Sequence, residues 1–376
     1  MKQASYLHGL QVLRFVAASL VLIGHIFMVT QNHGISNLHE WGYLPLLPWG
    51  SGVDIFFVIS GFIIFYIARN LDPGWRSAID FTVKRLIRIA PLYWFYTFLM
   101  LIAAYLFGSS LQHPNINVGH FLASLLLIAW PRPGDGALFP FLGQGWTLNY
   151  EIVFYSTAAL TLFSARHLRI YYLTFAIIVA IVIGRFLSAG RPVIGFYTGS
   201  ITLEFIFGVW LCHIQRSVRP LNPSVCLALI GIGVAGLLVS ALPMLDDVSR
   251  ALKQGVPATL IAAGFVLGKR TASGASRIRT ILEQLGDASY SLYLSHPFVV
   301  NAVALVWLAT VKTHPFAFAL ITYVAALAAA RVSYLAIERP LLRSLRERWE
   351  SDTIVAGSRR GLVSPTPAEV VAERSK

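Results

Sequence analysis

Apolar stretches long enough to cross a lipid bilayer recur along almost the whole chain, and no other feature limits its possible folds so strongly. A spanning helix needs about 20 predominantly apolar residues. Hydropathy marks ten candidates, approximately 10–30, 50–69, 89–107, 147–164, 170–188, 198–215, 223–242, 254–268, 288–309 and 316–336. The expected fold is therefore an all-α, polytopic membrane protein with about ten transmembrane helices. Composition agrees: 56% of residues are hydrophobic and 12% charged, whereas soluble domains carry roughly 25% charged residues. The apolar piece 118–130 is too short to cross and is expected to be re-entrant or interfacial within the long loop 108–146. Lys2 ahead of the stretch 16–29 resembles a signal peptide. Arg14 and His25 within or beside that stretch, and the lack of a small-x-small pattern after Val29, mark it instead as the first span.

The net charge of +13 raises the question of nucleic acid, but no nucleic-acid motif is present and the placement of the charge matters more. One alternate set of inter-span segments holds 22 Lys and Arg residues, including Lys2, Arg69, Arg76, Arg166, Arg169, Arg216, Arg219, Lys269, Arg270, Arg277 and Arg279. The other set holds only Arg132, Arg185, Arg191, Arg250, Lys253 and Lys312. Basic residues near span ends are retained in the cytoplasm, so both termini are expected there. This yields a membrane-embedded domain over 1–341 and a basic cytoplasmic tail over 342–376. The tail is expected to be partly disordered from about Glu350, where it turns polar and carries Pro365 and Pro367. Cys212 and Cys226 lie in apolar runs and imply no disulfide framework. Nothing in the spacing of His, Cys or carboxylates points to a metal.

Polar residues inside spans are costly, so each asks for a reason. In LRFVAASLVLIGH, Arg14 and His25 are eleven residues apart. At about 100° per residue they share one helix face, roughly 16 Å apart along the axis. Asp54 in GSGVDIFFVISGF and Glu151 in WTLNYEIVFY begin spans on the outer side, as does His25 by depth. The three are expected to gather there, with a carboxylate orienting the imidazole as a general base requires. Asp54 reads equally well as a helix cap. Glu204 in ITLEFIFG and His296, which Pro297 follows directly, are further candidates to line the same cavity. For Arg14 and His25 the competing reading is a snorkelling Arg and a packed His.

On the inner side, FTVKRLIRIAPLYW places Lys84, Arg85 and Arg88 where the third span begins, suited to gripping phosphates or to contacting anionic lipid. The outer segments carry Trp41, Tyr43, Trp49, Trp130 and Trp146, an interfacial aromatic belt first and a sugar-stacking surface second.

Taken together, the Arg14 to His25 spacing, GVDIFFVISGFII (52–64), KRLIRIAPLYW (84–94), WTLNYEIVFY (146–155), LGDASYSLYLSHP (285–297) and IERP (337–340) resemble the acyltransferase type 3 family of membrane proteins. The resemblance implies a ten-helix domain that takes an acyl group, usually acetyl, from cytoplasmic acyl-CoA and passes it to a glycan hydroxyl on the far side. It marks Arg14 with His25, and Arg85 with Arg88, as essential. It implies acyl-CoA as co-substrate rather than a permanently bound cofactor, and as partners an envelope glycan or lipid-linked saccharide and membrane lipids, with residence in the bacterial inner membrane. The form WTLNYE and the short basic tail look most like single-domain exopolysaccharide O-acetyltransferases. A secondary transporter or flippase is the competing function, since intramembrane Arg, His, Asp and Glu also mark proton and substrate paths. The two halves show no repeated broken helices, which speaks against it.

Overall fold

The computed structural model describes residues 5–35, 38–107, 117–268, 277–311 and 314–359. Lys2, Lys269, Arg270 and Lys312 of the charge partition, and the segment with Pro365 and Pro367, lie outside the described residues. Among the described residues every regular element is helical, apart from an isolated bridge between Leu221 and Gly268.

Thirteen helices of eight or more residues build the described chain. They are α1 (Ser5–Asn32), α2 (Ser51–Ala68), α3 (Trp75–Phe107), α4 (Val118–Leu125), α5 (Trp146–Thr161), α6 (Arg169–Leu187), α7 (Leu203–Ser217), α8 (Pro223–Val239), α9 (Val256–Val266), α10 (Arg277–Asp287), α11 (Ser289–Thr310), α12 (Pro315–Ser333) and α13 (Arg339–Arg359). Seven helical stretches are long and apolar enough to cross a membrane: His8–Asn32, Leu44–Ala68, Trp75–Leu106, Arg169–Leu187, Pro192–Ser217, Ser289–Thr310 and Pro315–Thr353. Their outward faces are oily; on α6, Tyr171, Phe175, Ile178, Val182 and Phe186 are all exposed. An apolar surface of that extent suits hydrocarbon and not water, and the protein is a multi-pass membrane protein. The other apolar segments are shorter. The 16 residues of α5 rise about 24 Å, less than the roughly 30 Å of a bilayer core. Helix α8 has 17 residues, and α9 has 11 behind a π-helical turn, Ala251–Gly255.

Three sequence expectations change shape. First, α3 is a single helix of 33 residues that begins at Trp75, so Lys84, Arg85 and Arg88 lie in its interior and not at its start. The turns ahead of them carry Arg76 and Asp80 and are too polar for a hydropathy window to join to the apolar part. Second, the apolar piece 118–130 forms α4, capped where the Asn117 side chain accepts the His120 N–H at 3.0 Å. It ends at Leu125, and two residues on Leu127 takes the left-handed conformation with a φ of 57°. Third, the expected tail does not lose structure at Glu350: α13 continues the last span through a π-helical segment, Tyr334–Glu338, and runs to Arg359. The indole Nε1 of Trp349 donates to Asp80 on α3 at 3.0 Å, and Lys84 meets Glu350 at 3.7 Å, so α13 is packed onto α3.

Helix α2 is the hub, packed against α1, α5, α7 and α9. A Cβ at Gly61 would stand 1.9 Å from the Phe205 carbonyl oxygen on α7, so only glycine allows that crossing. Under the turn that leaves α2, the fully buried Arg169 donates to the carbonyls of Ala68 and, at 2.9 Å, Leu71. The sequence reading counts Arg169 as a loop charge. Here the guanidinium satisfies buried carbonyls instead. A second core joins α1 to α11 and α12 through Leu22, Ile26, Val300, Phe318 and Ala326.

Candidate active site

Four arginines converge at one end of the bundle. Arg14 of α1, Arg85 and Arg88 of α3 and Arg346 of α13 line a cavity of about 210 Å³, together with Ser60 of α2, Glu151 and Tyr155 of α5, and Tyr290 and Tyr293 of α11. Each guanidinium is placed by its neighbours. Arg14 donates to Gln11 Oε1 at 3.1 Å, and Gln11 Nε2 donates to Asp287 Oδ1 at 2.6 Å. That link needs α10 close to α1: a Cβ at Gly286 would stand 2.0 Å from the Gln11 carbonyl oxygen. Asp287 lies outside the spans, where burial lifts its carboxyl above the usual carboxylate range while the Arg14 charge pulls it down. Arg88 is ion-paired to Glu338, whose other oxygen accepts the Ser291 hydroxyl at 2.6 Å, and lies over the Tyr290 ring with its carbon 5.3 Å from the centroid. Glu151 accepts from the Tyr155 hydroxyl at 2.9 Å, and that hydroxyl lies 3.2 Å from Ser60 Oγ. The Arg85 Nε–H, buried, has no hydrogen-bond partner among the described residues. With Glu338 committed to Arg88, Glu151 is the one carboxylate lining this cavity opposite the four guanidinium groups of Arg14, Arg85, Arg88 and Arg346, a balance that favours an anionic ligand.

The cavity reaches toward a pair of histidines. Its lining residue Tyr293 has its ring 6.2 Å from that of His296, and the His25 and His296 rings meet edge to face with centroids 4.7 Å apart. His25 Nδ1 lies 2.9 Å from the Val21 carbonyl oxygen, and His296 Nδ1 lies 3.0 Å from that of Leu292. A carbonyl only accepts, so each Nδ1 carries the proton and each Nε2 keeps its lone pair. His296 is buried, and its Nε2 has no partner among the described residues. Two imidazoles with basic nitrogens free are thus side by side, which is what proton transfer to and from a hydroxyl requires. Tyr293 is itself fixed, its hydroxyl donating to the Gln144 carbonyl at 2.8 Å and lying 2.9 Å from Thr147 Oγ1.

The carboxylates fall elsewhere than the sequence reading has them. Asp54 is neither cap nor partner of His25: it is fully buried and takes both Nε and Nη2 of Arg250 at 2.9 Å. A carboxylate inside a bundle needs a cation, and Arg250, counted as an outer-loop charge, supplies it. Glu151 faces the arginines, and the hydrogen-bond partner of His25 is the Val21 carbonyl and no carboxylate. Glu204 is fully buried near Asp54 and Arg250, against Gly255, where an added Cβ would stand 2.7 Å from its Cγ. It does not line the arginine cavity. Lys84 points away, 3.1 Å from Asp80 and 3.7 Å from Glu350. Of the expected residues the structure therefore joins Arg14, Arg85, Arg88 and Glu151 in one cavity, and His25 with His296 beside it. The sequence reading does not assign a role to Glu338, Ser291 or Arg346; for Glu338 the signal was its place in the quoted IERP.

The acyltransferase type 3 family, described as an acyltransferase domain, matches residues 7–334. The chain is 35% identical over 311 residues to the exopolysaccharide production protein ExoZ of Rhizobium meliloti (strain 1021), covering 79% of this chain and 91% of that protein. It is 25% identical over 320 residues to the acyltransferase MdmB of Streptomyces mycarofaciens, covering 77% of this chain and 78% of that one. No solved structure matches the chain significantly. With the domain matched from α1 to the end of α12, the chain belongs to the acyltransferase type 3 family and is an O-acyltransferase.

Proposed function

We propose that the protein moves an acyl group, acetyl, from cytoplasmic acyl-CoA to a hydroxyl of an exopolysaccharide or related envelope glycan. It does so from the bacterial inner membrane, held by ten helices with both termini in the cytoplasm. The observation that carries this reading is the line of groups along α1: a cavity with three arginines around Arg14, and roughly 16 Å further along the same helix the imidazole of His25 against that of His296. A phosphorylated carrier with a long flexible arm fits that arrangement, its anionic end at the arginines and its thioester near the imidazoles. His25 Nε2 takes the proton of the acceptor hydroxyl as its oxygen attacks the thioester carbonyl. The new C–O ester bond forms, the C–S bond breaks, and the proton passes to the departing thiolate of CoA. The glycan acceptor is supported by the similarity to ExoZ, an exopolysaccharide production protein. The test supplies acetyl-CoA and envelope glycan to purified protein in lipid discs. Release of free CoA together with acetylated glycan is expected, whereas glycan or acyl-CoA flux across a vesicle wall without CoA release would replace the enzyme reading by that of a carrier.

Orientation rests on the 22 against six partition of basic residues. Asn37 and Ser276 lie outside the described residues; Ala137 is half-buried and Ser351 is exposed. In a background without Cys212 and Cys226, a cysteine at Ala137 is expected to react with an impermeant maleimide from outside and one at Ser351 only after permeabilisation. The reverse pattern would move the donor cavity to the wrong compartment and end the acyl-CoA reading.

A further inference from the structure

Helix α13 follows the stretch matched by the family domain, which ends at residue 334. It forms one wall of a second cavity of about 450 Å³, to which it contributes Arg339, Arg343 and Arg346. This space adjoins the first cavity, and Arg14, Arg88 and Arg346 line both. Its size falls in the roughly 300–1,000 Å³ range of small-molecule sites. The wall is held in place: Trp349 is tied to Asp80 and Glu350 to Lys84 on α3, and Arg343 pairs with Glu347 at 2.8 Å on α13 itself. Arg346 is exposed and has no carboxylate partner among the described residues.

We propose that α13, through Arg346 with Arg339 and Arg343 in support, binds the phosphorylated adenosine end of the acyl-CoA donor. The inference rests on the donor reading above and adds to it a site on a helix beyond the matched domain. Two cations without a carboxylate partner among the described residues, Arg346 and Arg85, line one cavity, an arrangement that favours an anion between them. Planar guanidinium groups hold phosphate oxygens in pairs, which suits a ligand with several phosphates better than a single carboxylate. An anionic lipid headgroup offers similar chemistry, but it would not use the continuation of the space past Arg88 toward Tyr293. A nucleotide followed by an acylated arm fills both cavities in order, with the arm passing between Arg14 and Arg88.

The experiment uses full-length protein in discs of neutral phosphatidylcholine, with affinities for acetyl-CoA, dephospho-CoA and adenosine 3′,5′-bisphosphate measured by calorimetry. Wild type is expected to prefer acetyl-CoA over dephospho-CoA and to bind the bisphosphate. Arg346→Gln is expected to weaken acetyl-CoA roughly tenfold or more, the loss of one charge-assisted contact, and to narrow the preference over dephospho-CoA. Arg346→Lys should recover part of the loss. Arg346 is exposed, so thermal unfolding of the variant should match wild type. Equal acetyl-CoA affinity in wild type and Arg346→Gln would overturn the assignment to α13 while leaving the donor reading intact. Failure of wild type to bind acetyl-CoA would overturn both, and a loss in the variant seen only in discs containing anionic lipid would assign Arg346 to the membrane surface.

Discussion

Replacing His25 with alanine is expected to abolish measurable glycan acylation. Its Nδ1 is committed to the Val21 carbonyl at 2.9 Å, which leaves Nε2 as the base, and a neutral imidazole accepts a proton near neutral pH without first being desolvated as a charge. General bases contribute about 10²–10⁴ in rate. Because His296 shares the space at 4.7 Å, the two rings should act as a unit: adding His296→Gln to His25→Ala should cost little more than the single change. Acetyl-CoA affinity should stay near that of wild type, since the arginine cavity does not include His25. The check is mass spectrometry of envelope glycan from cells expressing each variant at equal levels. Near-normal acetylation by His25→Ala would reduce the residue to packing and remove the proposed mechanism.

The largest effect on stability is expected at Glu338, a residue 250 positions from its partner Arg88. Glu338 is fully buried, with the side chain of Arg88 only 22% exposed. One Glu338 oxygen holds that guanidinium and the other accepts Ser291. Alanine would leave a mostly buried cation and a buried hydroxyl without partners at the junction of α3, α11 and α12. Removing one member of a buried pair costs about 3–5 kcal/mol. Glu338→Ala should therefore unfold at clearly lower temperature in detergent and lose acyl-CoA binding as Arg88 is released. Glu338→Gln keeps an acceptor oxygen and a similar shape and should be milder on both measures. Unchanged unfolding of Glu338→Ala would show that solvent, not the pair, accommodates Arg88. The π-helical segment Tyr334–Glu338 that presents Glu338 is the kind of local insertion often retained at functional sites.

What could be read before the fold was known follows from the range over which each signal acts. Arg14 and His25 lie on one helix, so periodicity alone aligns them on one face. Arg85 and Arg88, three apart on α3, share a face for the same reason, and the structure brings both to one cavity. The start of α3 was missed because polar turns can extend an apolar helix beyond the bilayer without any hydropathy signal. The helical state of 342–359 was missed likewise: α13 is held by Trp349 on Asp80, a contact that its own polar sequence does not announce.

The sequence by itself determined the membrane class, the helical state and the family of chemistry, because lipid admits few backbone solutions and single-helix spacing is a local property. Only the tertiary structure decided which carboxylate serves which cation. Asp54 meets Arg250 across 196 residues, Arg88 meets Glu338 across 250, and His25 meets His296 rather than Glu151 or Asp54. Burying a charge is tolerable only beside its opposite. A dozen helices offer many such pairings with equal local propensity, and the crossings that choose among them, such as α2 on α7 at Gly61 and α10 on α1 at Gly286, are set by packing across the whole bundle.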